Sequence, residues 1–335
     1  MSLATTNNAT APPEARGLAR DEVRLLVAHA GAPVRESTFR DLPRHLDRGD
    51  LVVVNTSATL PAALDGTRSG EPVVVHLATS LDDGAWVVEI RPPGLSFGPV
   101  TDIAVGERIV LPGGAELTIR QTLPGQVRLH QAQVSGRDAL ALMARYGRPI
   151  AYGYVPDRWP LSTYQTMFAA EPGSAEMPSA GRPFTPTVVK GLQQRGVGLA
   201  TLVLHTGVSS PEVGEPPRAE RYAVPASTAA QVNATRHRGG RVVAVGTTVT
   251  RALETVADLD GAVHPGSGWT DLVLGLDRPA RVVTGLVTGW HEPGASHVHL
   301  LEAVAGADLV ASAYREAQAQ GLLWHEFGDS CLLLA

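Results

Sequence analysis

Residues 240–254, GRVVAVGTTVTRALE, predict a buried strand, a tight turn and the first turns of a helix. The valine-rich start, VVAV, is the kind of β-branched run that forms a strand covered on both faces. Gly246 permits a sharp turn, and Thr247 or Thr248 can cap the helix that follows. A helix start offers free N–H groups and the positive end of the helix dipole to an anion. The run therefore indicates an α/β unit, whose turn is either a carboxylate or phosphate site or a packed connection without a ligand.

Two patterns of hydrophobic residues divide the rest of the chain. Strand and helix patterns alternate from about residue 150 onward, which favours a mostly parallel sheet. Between Asp65 and Gly136 the segments are short, alternating and broken by Gly and Pro, which indicates a small antiparallel β-barrel. We predict helices at 137–146, 186–195, 226–238, 249–258 and 299–320, and main-domain strands at 50–55, 198–204, 241–246, 271–275, 281–287 and 329–334.

Composition restricts the functional classes. The 335 residues are 44% hydrophobic and 18% charged, as in a globular protein with an ample core. No apolar run reaches the length of a membrane span, so no membrane partner is expected. The single cysteine, Cys331, excludes an intramolecular disulfide and a multi-cysteine zinc site. A net charge of −5 without a basic cluster argues against a nucleic-acid partner, although scattered arginines can still form a patch for tRNA.

Five further segments occur in the same order as the motifs of one known family. They are FRDLPRHLDRGDLVVVNTSATLPAAL at 39–64, YQTMFAAEPGSAEMPSAGRPF at 164–184, LVLHTG at 202–207, TGWHEP at 288–293 and FGDSCLLL at 327–334. Together with the run at 240–254, they resemble the S-adenosylmethionine (SAM):tRNA ribosyltransferase-isomerase family of queuosine biosynthesis. The resemblance covers nearly the whole chain from about Arg20 onward.

The resemblance implies an α/β main domain with a mostly parallel sheet, interrupted by an inserted small antiparallel β-barrel. The expected boundaries are a flexible N-terminal tail over 1–17, a discontinuous main domain over 18–64 and 150–335, and the barrel over 65–149. The tail lacks the basic start and apolar centre of a signal peptide, so we expect a cytoplasmic protein. Its oligomeric state is not predicted.

The resemblance also implies a reaction. The ribosyl portion of SAM moves to 7-aminomethyl-7-deazaguanine in tRNA, adenine and methionine are released, and no metal is expected. Such a site needs an acid or base, an anion site for the methionine carboxylate and a pocket for adenine. Arg251, one turn into the helix, can add a charge-assisted bond to that carboxylate. The residues predicted to contact SAM are Ser179, Gly181, Arg182, Gly246, Thr247, Thr248 and Arg251.

Three residues are predicted to be catalytic, namely His205, His291 and Asp329. His205 ends the strand of LVLHTG, and His291 lies in TGWHEP, which aligns with the family motif T-N-F-H-L-P. Imidazole titrates near the working pH, so each histidine is either an acid or base, or a structural residue bonded to the backbone. Asp329 lies in a Phe-Gly-Asp turn that matches the family's Y-G-D, where it either faces the substrate or caps the backbone of its own turn.

A histidine-rich stretch that begins in TGWHEP admits a metal site as an alternative. His291, His297 and His299 can combine with Glu292 and Glu302 as zinc or iron ligands. However, the segment from 299 onward has a helical pattern, in which His297 and His299 diverge. The favoured interpretation is a polar loop that lines the active site.

Several positions depart from the family motifs. Pro183 replaces a histidine, Glu176 adds a carboxylate and Glu292 replaces a leucine, while only Glu220 remains of the motif H-x-M-H-x-E. Because the scaffold segments persist, we expect that SAM is retained and that the acceptor has changed. Three hypotheses follow: ribosyl transfer to tRNA, use of SAM with a small-molecule acceptor or its breakdown without tRNA, and a catalytically silent SAM-binding protein.

Overall fold

Strands dominate the described part of the chain, which in this computed structural model comprises residues 7–94, 98–208, 217–292 and 295–335. The strands are β1 (Arg24–His29), β2 (Arg35–Thr38), β3 (Leu51–Asn55), β4 (Ser57–Thr59), β5 (Ala63–Arg68), β6 (Glu71–Ser80), β7 (Trp86–Arg91), β8 (Arg108–Val110), β9 (Glu116–Thr122), β10 (Leu129–Ser135), β11 (Glu171–Ser174), β12 (Gly198–Leu204), β13 (Glu220–Val224), β14 (Val242–Val245), β15 (Gly266–Thr270), β16 (Gly285–Thr288) and β17 (Ser330–Leu334). The α-helices are α1 (Ala139–Tyr146), α2 (Pro186–Gln194), α3 (Ala226–His237), α4 (Thr247–Thr255), α5 (Ser296–Ala305) and α6 (Ala307–Ala319). Short 3-10 helices cover Pro13–Arg16, Arg20–Glu22, Phe39–His45, Pro112–Gly114, Leu161–Tyr164 and Ser179–Gly181.

A nine-stranded mixed sheet forms the main domain, in the order β15-β13-β12-β3-β14-β16-β17-β1-β2. Strands β12, β3, β14 and β16 run parallel to one another. Their carboxyl ends therefore meet at one edge of the sheet, where open α/β sheets bind ligands. The predicted α/β main domain is confirmed as a large mixed sheet with a parallel centre.

The alternating side chains of β3 explain why helices cover both faces of this sheet. Leu51 and Val53 belong to the core that includes α3, α4, α5 and α6, whereas Val52 and Val54 pack with Phe39 and with Val188 of α2. A strand that buries both of its faces reads as an unbroken apolar run. This is the pattern on which the prediction rested.

The predicted barrel is confirmed as a closed six-stranded antiparallel barrel in the order β10-β7-β6-β5-β8-β9. Its own core contains side chains from all six strands, among them Leu77, Val88 and Leu117. The first barrel strand, β5, begins at Ala63, just before the expected boundary. Helix α1 follows the last strand and ends at Tyr146, before Gly147.

Two predicted elements of the main domain differ from the structure. The helix expected at 299–320 is two helices, α5 and α6, because Gly306 separates them with a φ of 81°. No strand forms over 271–275, and the preceding segment, Gly266–Thr270, pairs with β13 instead. In the part of the chain that the structure describes, no helix is long and apolar enough to cross a membrane.

The N-terminal segment is packed from residue 8 onward. Asn8 forms a bridge with Trp324, Ala9 is 1% exposed, and the guanidinium of Arg16 donates to the carbonyl of Phe327 at 2.7 Å. The expectation of a flexible tail is therefore corrected for residues 8–16, which the contacts with the C-terminal segment hold in place. Residues 1–6 lie outside the described part of the chain.

Candidate active site

A cavity of about 540 Å³ opens at the carboxyl edge of the parallel strands. Its wall combines residues that follow β12, β14 and β16 with residues from the barrel and from the segment after it. The barrel supplies Ala78 and Thr79, and the segment after it supplies Tyr152 and Tyr154. The volume lies within the range of about 300–1,000 Å³ that is usual for small-molecule sites.

Helix α4 begins at the wall of this cavity, and its N-cap residue is Gly246. Gly246 has a φ of 90°, and a Cβ atom built there would lie 3.3 Å from the Cβ atom of Ala180. No side chain caps the helix, so the prediction that Thr247 or Thr248 is the cap is corrected. Both threonines are instead the first residues of the helix, whose initial N–H groups have no intrahelical acceptor. They line the cavity, where the predicted anion site would lie.

Arg251 also lies at the cavity wall, but its guanidinium already has several protein acceptors. It donates to the carboxylate of Glu220, to the carbonyls of Arg218 at 2.8 Å and Thr270 at 3.0 Å, and to that of Leu272 at 3.1 Å. These bonds tie α4 to β13, to the end of β15 and to the segment after it. Arg251 therefore stabilises the wall, which differs from the predicted bond to SAM.

The three predicted SAM contacts around residue 180 separate into two groups. Ser179 lines the cavity, whereas Gly181 and Arg182 do not belong to its wall. The buried guanidinium of Arg182 donates to the carboxylate of Glu14 at 2.9 Å and to the carbonyl of Thr163 at 3.1 Å. Arg182 thus holds the N-terminal segment against the main domain.

Of the three predicted catalytic residues, His291 alone lines the cavity. Its Nε2 atom lies 3.2 Å from the hydroxyl of Thr288, and its ring stacks on that of His297 with centroids 4.6 Å apart. Burial lowers the pKa of His291 well below its ordinary value, and the neighbouring His297 and His325 lower it further. The imidazole is therefore neutral at pH 7 and can accept a proton.

His205 and Asp329 lie outside the cavity wall. The Nδ1 atom of His205 is 2.7 Å from the hydroxyl of Ser57, and burial lowers the pKa of this histidine. The carboxylate of Asp329 accepts the backbone N–H groups of Arg24 at 2.9 Å and Leu323 at 2.8 Å, while burial raises its pKa. Both side chains are therefore bonded within the protein, but not as the structural alternatives predict. His205 is bonded to a side chain instead of the backbone, and Asp329 caps the N–H groups of Arg24 and Leu323, which lie outside its own turn.

Comparison with known proteins identifies the family of the chain. A family model described as "Queuosine biosynthesis protein" matches residues 2–333. The chain belongs to this family. The S-adenosylmethionine:tRNA ribosyltransferase-isomerase of Symbiobacterium thermophilum is 38% identical over 335 residues, which cover 94% of each chain. The protein of the same name from Moorella thermoacetica is 36% identical over 328 residues, again 94% of each.

A solved structure supports the same assignment for the fold. The crystal structure of S-adenosylmethionine tRNA ribosyltransferase from Thermotoga maritima is similar to this chain with a TM-score of 0.54 and 27% sequence identity. The match covers 100% of this chain and 99% of the other. The predicted membership in this family of enzymes is confirmed.

Sequence reasoning missed most of one side of the cavity in this member of the queuosine biosynthesis family. Tyr152, Tyr154, Tyr164, Glu176 and Glu326 line that side, and we call them the tyrosine–carboxylate wall. The hydroxyl of Tyr154 donates to the carboxylate of Glu326 at 2.5 Å, and that of Tyr152 donates to Glu176. Glu176 stands out as a departure from the family motif, and clustered Tyr and Glu residues in loops were the only other signal.

His325 lies beside this wall in an unusual backbone conformation. Its φ is 68°, which is sterically unfavourable for a residue other than glycine. The ring stacks on Tyr154 with centroids 4.3 Å apart, and Nε2 lies 3.4 Å from the carboxylate of Glu292. Such strain is found most often where a side chain is held in place for function.

The structure separates the residues of the alternative metal site. Exposed His299 pairs with Glu302 at 3.3 Å, while His297 stacks on His291. Across residues 7–94, 98–208, 217–292 and 295–335, no group of three or more His, Cys, Asp or Glu side chains is placed to hold a metal ion.

Proposed function

We propose that this protein binds SAM in the cavity and transfers its ribosyl portion to an acceptor, with release of adenine and methionine. One observation carries the proposal. The start of α4 and the neutral imidazole of His291 line the same cavity, whose volume suits a small molecule. Relatives that match 94% of the chain are named for this activity, which supports the same chemistry here.

The start of α4 is the proposed site for the methionine carboxylate. Gly246 brings the backbone to the cavity, and the N–H groups of Thr247 and Thr248 supply hydrogen bonds together with the positive end of the helix dipole. Ser179 lies on the same wall. Arg251 stabilises the cavity wall, and no contact of Gly181, Arg182 or Arg251 with SAM is part of the proposal.

His291 is the proposed base that removes the proton beside the sulfonium. Its lowered pKa leaves the ring unprotonated, and Thr288 and the stacked His297 fix its orientation. We assign this step to His291 and not to His205 or Asp329, because the latter two are bonded to other protein groups away from the cavity. The proposed reaction requires no metal.

The proposed acceptor is 7-aminomethyl-7-deazaguanine in tRNA. The names of the relatives support the tRNA, and the modified base is what the family resemblance implies. This choice also keeps the expectation of a cytoplasmic protein. A second candidate is a small amine without tRNA, and one observation favours it. The cavity wall holds four carboxylate side chains, those of Glu176, Glu220, Glu292 and Glu326, against two guanidinium groups, and an excess of carboxylates repels the phosphates of a nucleic acid.

One incubation separates the candidates. The protein is mixed with SAM, with and without tRNA that carries 7-aminomethyl-7-deazaguanine, and adenine, methionine and methylthioadenosine are followed by chromatography. Adenine release that requires the tRNA supports the first candidate, and release without it supports the second. Binding of SAM without turnover would leave the silent-protein hypothesis, and absence of SAM binding would refute the proposal.

A further inference from the structure

We propose that the tyrosine–carboxylate wall binds a primary alkylammonium group of a substrate. The group is either the amine of the acceptor or the α-ammonium of SAM, which share the same chemistry. This inference rests on the proposed function, because both substrates occupy the cavity that His291 lines.

The environment of the two carboxylates in this wall favours the binding of a cation. Glu326 accepts a hydrogen bond from the neutral hydroxyl of Tyr154, and Glu176 accepts one from Tyr152. Burial raises the pKa of Glu326 to about 7, and the neighbouring Glu176 acts in the same direction. A buried carboxyl group whose pKa is raised by burial and by a second carboxylate is stabilised as an anion when a cation binds beside it.

A buried hydroxyl without a partner points to the same ligand independently. Tyr164 lines the cavity and is 4% exposed, yet its hydroxyl makes no hydrogen bond with the residues that the structure describes. Glu326 lines the same cavity and contributes to the raised pKa of Tyr164. Buried polar groups of native proteins are normally satisfied, and a ligand N–H can supply the missing bond.

The aromatic rings add a further attraction for positive charge. Tyr152 and Tyr154 stack with centroids 6.0 Å apart and an interplanar angle of 23°. The faces of tyrosine rings attract ammonium groups. An ammonium also has three N–H donors, which match the oxygens of Glu176, Glu326 and Tyr164, whereas a sulfonium has none.

Charge-removing variants test this assignment. Glu326→Gln and Glu176→Gln remove one negative charge each with little change in size, and Glu71→Gln is the matched control at an exposed barrel position. Calorimetry measures the Kd values of SAM and of 5′-methylthioadenosine, which lacks the methionine end. Turnover assays measure the KM for tRNA carrying 7-aminomethyl-7-deazaguanine, and calorimetry compares the free base with its 7-methyl analogue, which lacks the amine.

We expect a roughly 10- to 100-fold loss for the ligand whose ammonium the wall binds. A weaker Kd for SAM with unchanged methylthioadenosine binding identifies the SAM ammonium. The acceptor amine is identified by a different set of results. The Kd values of SAM and methylthioadenosine stay unchanged and the KM for the tRNA rises, while the free aminomethyl base binds more weakly and its 7-methyl analogue binds as before. The Glu71→Gln control should match the wild type.

Other results overturn the inference. Equal weakening of SAM and methylthioadenosine means that the variants disturb the cavity and not a cation, and no change in any ligand removes the site altogether. A wild type that binds SAM without releasing adenine contradicts the proposed function alone, since the SAM and methylthioadenosine comparison still decides the ammonium site. A wild type that binds neither the nucleosides nor the aminomethyl base contradicts both.

Discussion

At the scale of single residues, position at the cavity decides which histidine can act as a base. His291 combines a cavity position with a lowered pKa, whereas His205 is bonded to Ser57 away from the cavity. We predict that His291→Ala lowers kcat by roughly 10²- to 10⁴-fold, the usual contribution of a general base. Circular dichroism and thermal melts check that the fold is kept, with exposed His299→Ala as the control. An active His291→Ala enzyme together with an inactive His205→Ala enzyme would reassign the base.

Glu326 should give a pH-dependent stability difference of its own. The ordinary pKa of 4.5 rises to about 7 in the folded protein, so the folded state holds the proton more tightly than the unfolded state. The favourable contribution is complete below pH 4.5 and is lost as the pH rises through 7. At 1.36 kcal/mol per pH unit, Glu326→Gln should become more stable than the wild type by about 3 kcal/mol above pH 7. Urea unfolding at pH 4.5 and pH 8 measures this, and a difference that does not grow with pH would contradict it.

At the scale of elements, the turn before α4 places a helix start at the cavity. Gly246 has a φ of 90°, and an added Cβ atom would contact Ala180 at 3.3 Å and the Thr248 hydroxyl at 3.5 Å. We predict that Gly246→Ala costs about 1–2 kcal/mol of stability and weakens SAM binding. Gly306→Ala is the matched control, because Gly306 also has a positive φ, 81°, but no atom lies within 4 Å of the added Cβ. Calorimetry should show weaker SAM binding only in the Gly246 variant; equal Kd values in both would show that the turn does not shape the site.

Local sequence patterns were sufficient to predict the strands and helices whose ends are determined by neighbouring residues. The run at 240–254 contains its own turn glycine and helix start, and the structure forms β14 and α4 there. The strand expected at 271–275 failed because strand formation depends on a distant partner, and β13 pairs with Gly266–Thr270 instead. The single helix expected at 299–320 was wrong because Gly306 adopts a positive φ, which ends α5.

The candidate site could be predicted only where it lies at the end of one strand. Gly246 follows β14 directly and His291 lies three residues beyond the end of β16, so the sheet edge implies their position. His205 also follows a strand, but strand position does not fix which way a side chain turns, and its ring lies against Ser57. Tyr152 and Glu326 are far apart in the chain, and only the folded protein brings them into one wall.

At the scale of the whole molecule, the barrel is a structural part of the cavity. It contributes Ala78 and Thr79 directly, and buried Glu89 of β7 influences the pKa of Tyr152 in the wall. Loss of the barrel would therefore open one side of the site. We infer that barrel folding and SAM binding are energetically coupled, because a ligand that binds only the complete cavity stabilises every element that forms it.

Glu89 allows this coupling to be tested. Its carboxylate is 1% exposed and accepts bonds from Arg128 at 2.6 Å and Arg91 at 3.1 Å, with His76 at 3.3 Å. Glu89→Gln places a neutral amide against the buried guanidinium of Arg128 and the partly buried one of Arg91, so we predict a loss of about 3–5 kcal/mol in the free energy of unfolding. The control Glu116→Gln alters a more exposed pair with Arg108, which should cost at most about 1 kcal/mol.

Urea unfolding of Glu89→Gln, with and without SAM, then decides whether the barrel and the cavity are coupled. SAM at 100 times its Kd should add about 2.7 kcal/mol to the stability of any unit that includes the complete site. Coupling predicts that SAM raises the midpoint of the transition in which the barrel unfolds, because Ala78 and Thr79 leave the wall when it does. The opposite result is a separate transition of Glu89→Gln at lower urea whose midpoint SAM does not change. If the protein still binds SAM after that transition, the barrel folds and unfolds independently of the site.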